Sequence, residues 1–424
     1  MGRTADPSPL PAGSQRSRWS PRRTALVLLA AAALLRFAVV GVMWGLEPND
    51  WLSDAGVHLA MVHDPAAQVR GELPDTVQYP AYLGYLEGAG VRPALAAGTT
   101  DPTALRVASV VWDLVAMAIL LAAVARWRPR SVGLVGALWA FAPIVWPASA
   151  VFGQDETIDA AFGALVVWLV ASGRRRAATV VAVVAMFAVK AVFAPVVVAL
   201  VVTSPRTERM RRAVLAAVTA AASAAVTWLL GGGDGLTRQL RYEPSVVGFS
   251  VSGWSPLALH HLVAPAVALP VSSVLAAAAL AAVARIWWER DDEDPLSFAR
   301  CCACAFLAPF AVLAISNPEY LCLAAPFAVV ACLGAGERRR ALVVSAVGAA
   351  AWATNLAYYL LRKEFDPTGA QLGVTGLTGD LTASVRWLAA LHAASIAAYT
   401  ALIALAVWQL VSARAEHPPP LAPA

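Results

Sequence analysis

Apolar runs of roughly twenty residues recur along almost the whole chain, and that is the length that crosses a hydrocarbon core about 30 Å thick. They cover residues 24–46, 104–126, 131–150, 157–173, 177–203, 211–231, 266–288, 296–316, 319–335, 340–361 and 385–412. Inside lipid a backbone can pair its polar groups only as helices or a closed barrel. Long runs without alternation are the helical pattern. Only 14% of residues are charged, against about a quarter in soluble domains, and 59% are hydrophobic. The expected fold is all-α, a polytopic transmembrane helical bundle formed by a single domain over residues 23–413. Pro-, Ser- and Arg-rich residues 1–22 read as a disordered tail, and residues 414–424 as a second tail.

The net charge of +5 predicts no nucleic-acid partner, because the basic residues sit in short loops between apolar runs, as cytoplasmic loops do. Arg22 and Arg23 place the N-terminus inside. Arg126, Arg128 and Arg130 mark an inside loop, followed by Arg174 to Arg176, then Arg206, Arg209, Arg211 and Arg212, then Arg285 and Arg290, and lastly Arg338 to Arg340. Segment 177–203 conflicts with this order, since both of its ends carry clusters that belong inside. The conflict resolves if Lys190, with Pro195 just after it, is the apex of a hairpin of two short helices sheltered by neighbours. The eleven runs then give about twelve crossings, with both termini cytoplasmic. Cys301, Cys302, Cys304, Cys322 and Cys332 all fall inside apolar runs without metal-ligand spacing. They predict neither a disulfide framework nor a metal site, and no cofactor is indicated.

The opposite face receives the long loops, chiefly 47–103, 232–265 and 362–384. In the first loop Asp50, Asp54, His58, Tyr79, Tyr82 and Tyr85 combine carboxylates with an aromatic cluster. A carboxylate just above a membrane helix can serve as a general base, or it can simply be solvated. A short turn holds Gln154, Asp155 and Glu156, where Asp155 or Thr157 is placed to cap the next helix. Lys190 within an apolar run needs an anionic partner. Arg36 and Asp113 inside spans suit structural pairing or loop anchoring. Arg238 and Arg241, with Tyr242, lie near the membrane surface at a spacing that suits a phosphate diester. His260 and His261 are adjacent and point apart, which disfavours a metal pair. Glu319, in Asn317-Pro-Glu-Tyr320, is either a helix-dipole partner or a ligand for a sugar hydroxyl.

Taken in order, these elements resemble the GT-C superfamily of glycosyltransferases, polytopic enzymes that use polyprenyl-phosphate sugars. The pattern is most similar to the bacterial alpha-mannosyltransferases of phosphatidylinositol mannoside and lipoglycan synthesis, and to GPI mannosyltransferase I. The resemblance is carried by Asp54 in a large first outer loop, Tyr79-Pro80, Arg106 with Asp113, Gly153-Gln154, Lys190 followed by Pro195, and the Asn-Pro-Glu-Tyr turn. It implies transfer of a sugar, mannose in those relatives, from the lipid donor to a lipid or glycan acceptor, on the outer face of a bacterial plasma membrane. In this reading Asp54 is the general base. Lys190, Arg238 and Arg241 lie near the leaving phosphate, and Tyr79, Gln154, Asp155, Tyr242, His261 and Glu319 line the substrate site. The rival readings are a transporter or lipid flippase, which would put its polar groups at the midplane whereas here they gather on one face, and a noncatalytic relative of the same superfamily.

Overall fold

The computed structural model describes residues 20–46, 55–74, 79–237, 250–259, 262–290, 293–365 and 383–413, and these are helical throughout, without strands. The helices follow the apolar runs closely. Helix α1 covers Pro21–Leu46. The first outer loop contributes α2 (Ala55–His63), α3 (Pro65–Arg70) and α4 (Leu83–Ala96). Then come α5 (Asp101–Trp127), α6 (Val132–Phe141), α7 (Glu156–Ala171), α8 (Arg175–Ala188), α9 (Ala194–Val202) and α10 (Arg206–Thr237). The last third holds α11 (Ser255–Leu259), α12 (Pro265–Arg290), α13 (Pro295–Phe310), α14 (Leu321–Ala331), α15 (Glu337–Phe365) and α16 (Ala383–Ser412).

Six of these, α1, α5, α10, α12, α15 and α16, are long and apolar enough to cross a membrane. Their outward faces are apolar and their buried positions include charged groups. Leu34 on α1, Leu229 on α10, Val274 on α12 and Trp387 on α16 are among many large apolar side chains turned outward, whereas Arg36, Asp113, Glu156 and Asp159 are buried. The centre of the bundle is α5, α7, α13 and α14, with α7 packed on both α5 and α14. Gly163 permits the second approach, because a Cβ there would come within 3.1 Å of the Pro326 ring.

Departures from the expected spans trace to proline and glycine. Run 131–150 is not one straight helix. It stops at Phe141 before Pro143 and resumes as a single widened turn, Pro147–Phe152, since proline removes a backbone donor and clashes with the preceding turn. Run 296–316 likewise ends at Phe310, next to Pro309. Conversely, α10 continues to Thr237, past the expected boundary at 232, across a kink at Gly232 where φ is +64°. Part of loop 47–103 is a helical layer rather than an open loop. Gln68 fastens it, donating to the Pro80 carbonyl at 2.6 Å and accepting from the Gly84 amide at 3.0 Å.

Arg36 and Asp113 form the structural pair expected of them. The Arg36 Nε donates to Asp113 Oδ2 at 2.6 Å, and its Nη atoms donate to the Ala140 and Trp139 carbonyls. Asp113 also accepts from Trp139 Nε1 and Ser149 Oγ, each at 2.7 Å. Both charges are fully buried, so every partner matters. Breaking such a pair by removing one member typically costs about 3–5 kcal/mol. The network ties α1, α5, α6 and the Pro147 turn together.

The hairpin is present. Arg175 at the start of α8 donates through Nη1 to the Thr203 carbonyl at 3.2 Å, just beyond the end of α9. The two ends of the segment are therefore side by side. Helix α8 carries the chain about 21 Å at 1.5 Å per residue, and Lys190 adopts extended backbone at the apex. Pro195 falls in the first turn of α9, where its missing N–H costs nothing. Cysteines substituted at Arg176 and Glu208 are expected to react with an impermeant maleimide from the same side of sealed vesicles. Labelling from opposite sides would contradict the hairpin as a membrane element. All five native cysteines are buried, so background reaction should be low.

Candidate functional site

The turn before α7 is shaped by the backbone. Gly153 takes φ +66°, and a Cβ there would lie 3.0 Å from the Arg106 amide nitrogen, so the position needs glycine both for its conformation and for its room. The Gln154 amide returns to the Ala148 carbonyl at 3.0 Å. Its carbonyl accepts from Ser109 Oγ at 2.7 Å and Thr157 Oγ1 at 3.2 Å. These bonds fix where Asp155 and Glu156 enter α7.

Asp155 occupies the N-cap position but makes no side-chain cap. Its carboxylate goes to Lys190, whose Nζ lies 3.1 Å from Oδ1 and 3.0 Å from Oδ2. The same ammonium donates to Glu156 Oε1 at 2.6 Å and stands 5.6 Å from the centre of the Tyr79 ring. The hairpin apex therefore meets the start of α7 and the first-loop layer at one point. Asp155 and Glu156 side chains are almost completely buried, while Lys190 retains 17% exposure. Glu319, partly buried in the turn before α14, lies within electrostatic range of Glu156 and Lys190.

One turn further into α7, Asp159 is buried, and among the described residues neither of its carboxylate oxygens has a hydrogen-bond partner. Several carboxylates thus face one ammonium, and the cluster is negative overall when all are ionised. A low-dielectric setting makes that imbalance costly. Among the described residues, no three His, Cys, Asp or Glu side chains are arranged to hold a metal.

Around this core the loop ends are tied to the same end of the bundle. His58 on α2 pairs with Glu87 at 3.0 Å and lies 5.0 Å from Tyr79 between ring centres. The end of α10 packs on α3, with Gly235 close against the Val69 carbonyl. Past the long loop, the Val251 amide donates to the Ser316 carbonyl at 3.1 Å and Trp254 Nε1 to the Val312 carbonyl at 2.8 Å. Asn317 does not cap its helix but accepts from Ser250 Oγ at 2.9 Å. Arg106 donates through Nε to the Val151 carbonyl at 2.9 Å, and its buried Nη2 has no partner among the described residues.

Of the residues selected from sequence, Tyr79, Asp155, Lys190 and Glu319 come together. Gln154 adjoins them through its backbone. Asp54, Arg238, Arg241, Tyr242 and His261 lie outside the described residues. Sequence reasoning gave no role to Glu156 or Asp159 and did not foresee the orphan nitrogen of Arg106. The first two carried a signal, because carboxylates three apart share a helix face and Lys190 required an anion. The anionic partner that Lys190 needed is supplied within the chain by the carboxylates of Asp155 and Glu156. No protein-family model matches the sequence, and no curated protein is significantly similar to it.

Proposed function

We propose that the chain is a multi-pass membrane glycosyltransferase of the GT-C type, moving a sugar, mannose by the resemblance, from a polyprenyl-phosphate donor to a lipid-linked or glycan acceptor. The observation that carries the reading is the gathering of Tyr79, Asp155, Glu156, Lys190 and Glu319 from four separate segments. They meet at the end of α7 opposite the Arg174–Arg176 loop. By the positive-inside rule that end is extracytoplasmic, in a bacterial plasma membrane by the resemblance.

The general base in this reading is Asp54, four residues before His58 in the sequence. It takes the acceptor hydroxyl proton as the acceptor oxygen bonds to the anomeric carbon. The carbon–oxygen bond to phosphate breaks with inversion, and polyprenyl phosphate leaves. Gln154, Asp155 and Glu319 orient sugar hydroxyls, and Tyr79, Tyr242 and His261 are the further substrate-binding residues of this reading. Lys190 serves this reading differently from the sequence expectation. Surrounded by carboxylates, it would attract a phosphate weakly, and it holds Asp155 and Glu156 in place instead. Leaving-group charge then falls to Arg238, Arg241 and the orphan N–H of Arg106. The purified protein, given labelled polyprenyl-phosphate mannose and a membrane lipid extract, is expected to yield labelled lipid. Hydrolysis alone, or no consumption of donor, would count against the proposal.

Asp159 favours a second reading, a proton- or cation-coupled transporter, because a buried carboxylate without a partner suits reversible charge binding. Substrate uptake driven by a pH gradient in proteoliposomes, abolished by Asp159→Asn, would support it.

A further inference from the structure

At the other end of α7 a cleft of about 760 Å³ opens among the ends of α5 and α7 and the starts of α8, α10 and α13. Its charged lining is Arg174, Arg175, Arg176 and Arg212 against Glu208 and Glu293, a surplus of two positive charges. The arginines play different parts. Arg175 is committed to the frame, donating to the Thr203 and Glu293 carbonyls. Arg174 and Arg176 are exposed. Arg212 is the telling one. It is 6% exposed, yet its Nε and Nη1 have no hydrogen-bond partner among the described residues. Its nearest carboxylate contact is Nη2 to Glu208 Oε2 at 3.9 Å.

A buried guanidinium with two unanswered N–H groups is expensive, and its fork geometry matches the oxygens of a phosphate. The first turn of α8, Arg175 to Ala177, also lines the cleft. This helix of 14 residues starts without a side-chain cap, so its N-terminal dipole adds to the attraction for an anion.

We propose that this cleft binds a phosphate group, held by Arg212 and the α8 N-terminus, with Arg174 and Arg176 completing the charge. The group can come from an anionic lipid headgroup or a soluble phosphate compound. Helix α10 rises from the cleft with Met210, Val214 and Val218 exposed along one side, a surface on which acyl chains can lie, as basic pockets between membrane helices do for anionic lipids. The site is separate from the acidic cluster by the length of α7, about 24 Å, and does not depend on the proposed transferase activity.

The test uses the full chain in a neutral maltoside detergent, titrated with phosphatidylglycerol, phosphatidylcholine or inorganic phosphate while its melting temperature is followed. Arg212→Gln and the exposed Arg176→Gln are titrated beside it, the second covering the chance that the first fails to fold. Phosphatidylglycerol is expected to stabilise the parent well beyond phosphatidylcholine, with an apparent affinity at least tenfold weaker in each folded variant. Saturation by inorganic phosphate at equal or lower concentration would support the phosphate site and assign it to a soluble compound. Stabilisation by neither phosphatidylglycerol nor inorganic phosphate, or an unchanged response in Arg176→Gln and in any folded Arg212→Gln, overturns the proposal.

Discussion

Replacing Lys190 by methionine is expected to destabilise the protein by about 3–5 kcal/mol, the usual cost of removing one partner from a buried charge pair. The methionine keeps most of the apolar stem but strands Asp155 and Glu156, which Lys190 meets at 3.0 Å and 2.6 Å. Asp159 stands nearby with no partner among the described residues, so it adds to the uncompensated negative charge. A double variant separates charge from packing. Lys190→Met with Glu156→Gln leaves one stranded carboxylate fewer, and its melting temperature should recover part of the loss. Thermal unfolding of the parent and both variants in one detergent measures this. A melting temperature unchanged by Lys190→Met, together with lost donor binding, would restore Lys190 to the leaving phosphate and remove it from the frame.

The second large effect concerns chemistry. On the glycosyltransferase proposal, Asp54→Asn should lower sugar transfer by roughly two to four orders of magnitude, the contribution typical of a general base. Melting temperature and expression should hardly change. Asp50→Asn is the control, expected to matter less. Transfer rates for the two variants, measured on preparations with matched melting temperatures, decide the assignment. An active Asp54→Asn beside an inactive Asp50→Asn would move the base four residues earlier. If both variants keep full activity, the base is elsewhere, and the carboxylates gathered at Lys190 become the next candidates.

Much of the architecture was legible before any coordinates, for a simple reason. Within lipid, length and hydropathy alone force a helix, so the apolar runs became helices with ends displaced mainly where Pro143, Pro309 or Gly232 intervened. The hairpin followed from charge bookkeeping at Arg174–Arg176 and Arg206–Arg212, and the Arg175 bond to Thr203 is its structural counterpart. That Lys190 needed an anion was equally a matter of sequence, because an ammonium in an apolar run is too costly to stand alone.

Which anion it would find was not. Glu156, next in line to Asp155, reads locally as the first turn of a helix, and only the meeting of the hairpin apex with the start of α7 turns both carboxylates toward Lys190. Asp159, Arg106 and Arg212 look in sequence like ordinary charges at helix ends. Their orphaned atoms arise from how α5, α7, α8 and α10 pack, which no local pattern encodes. Hydropathy and charge act residue by residue along a chain and can be read there. The partner of a buried charge depends on contacts between segments far apart in sequence, and only the tertiary structure decides them.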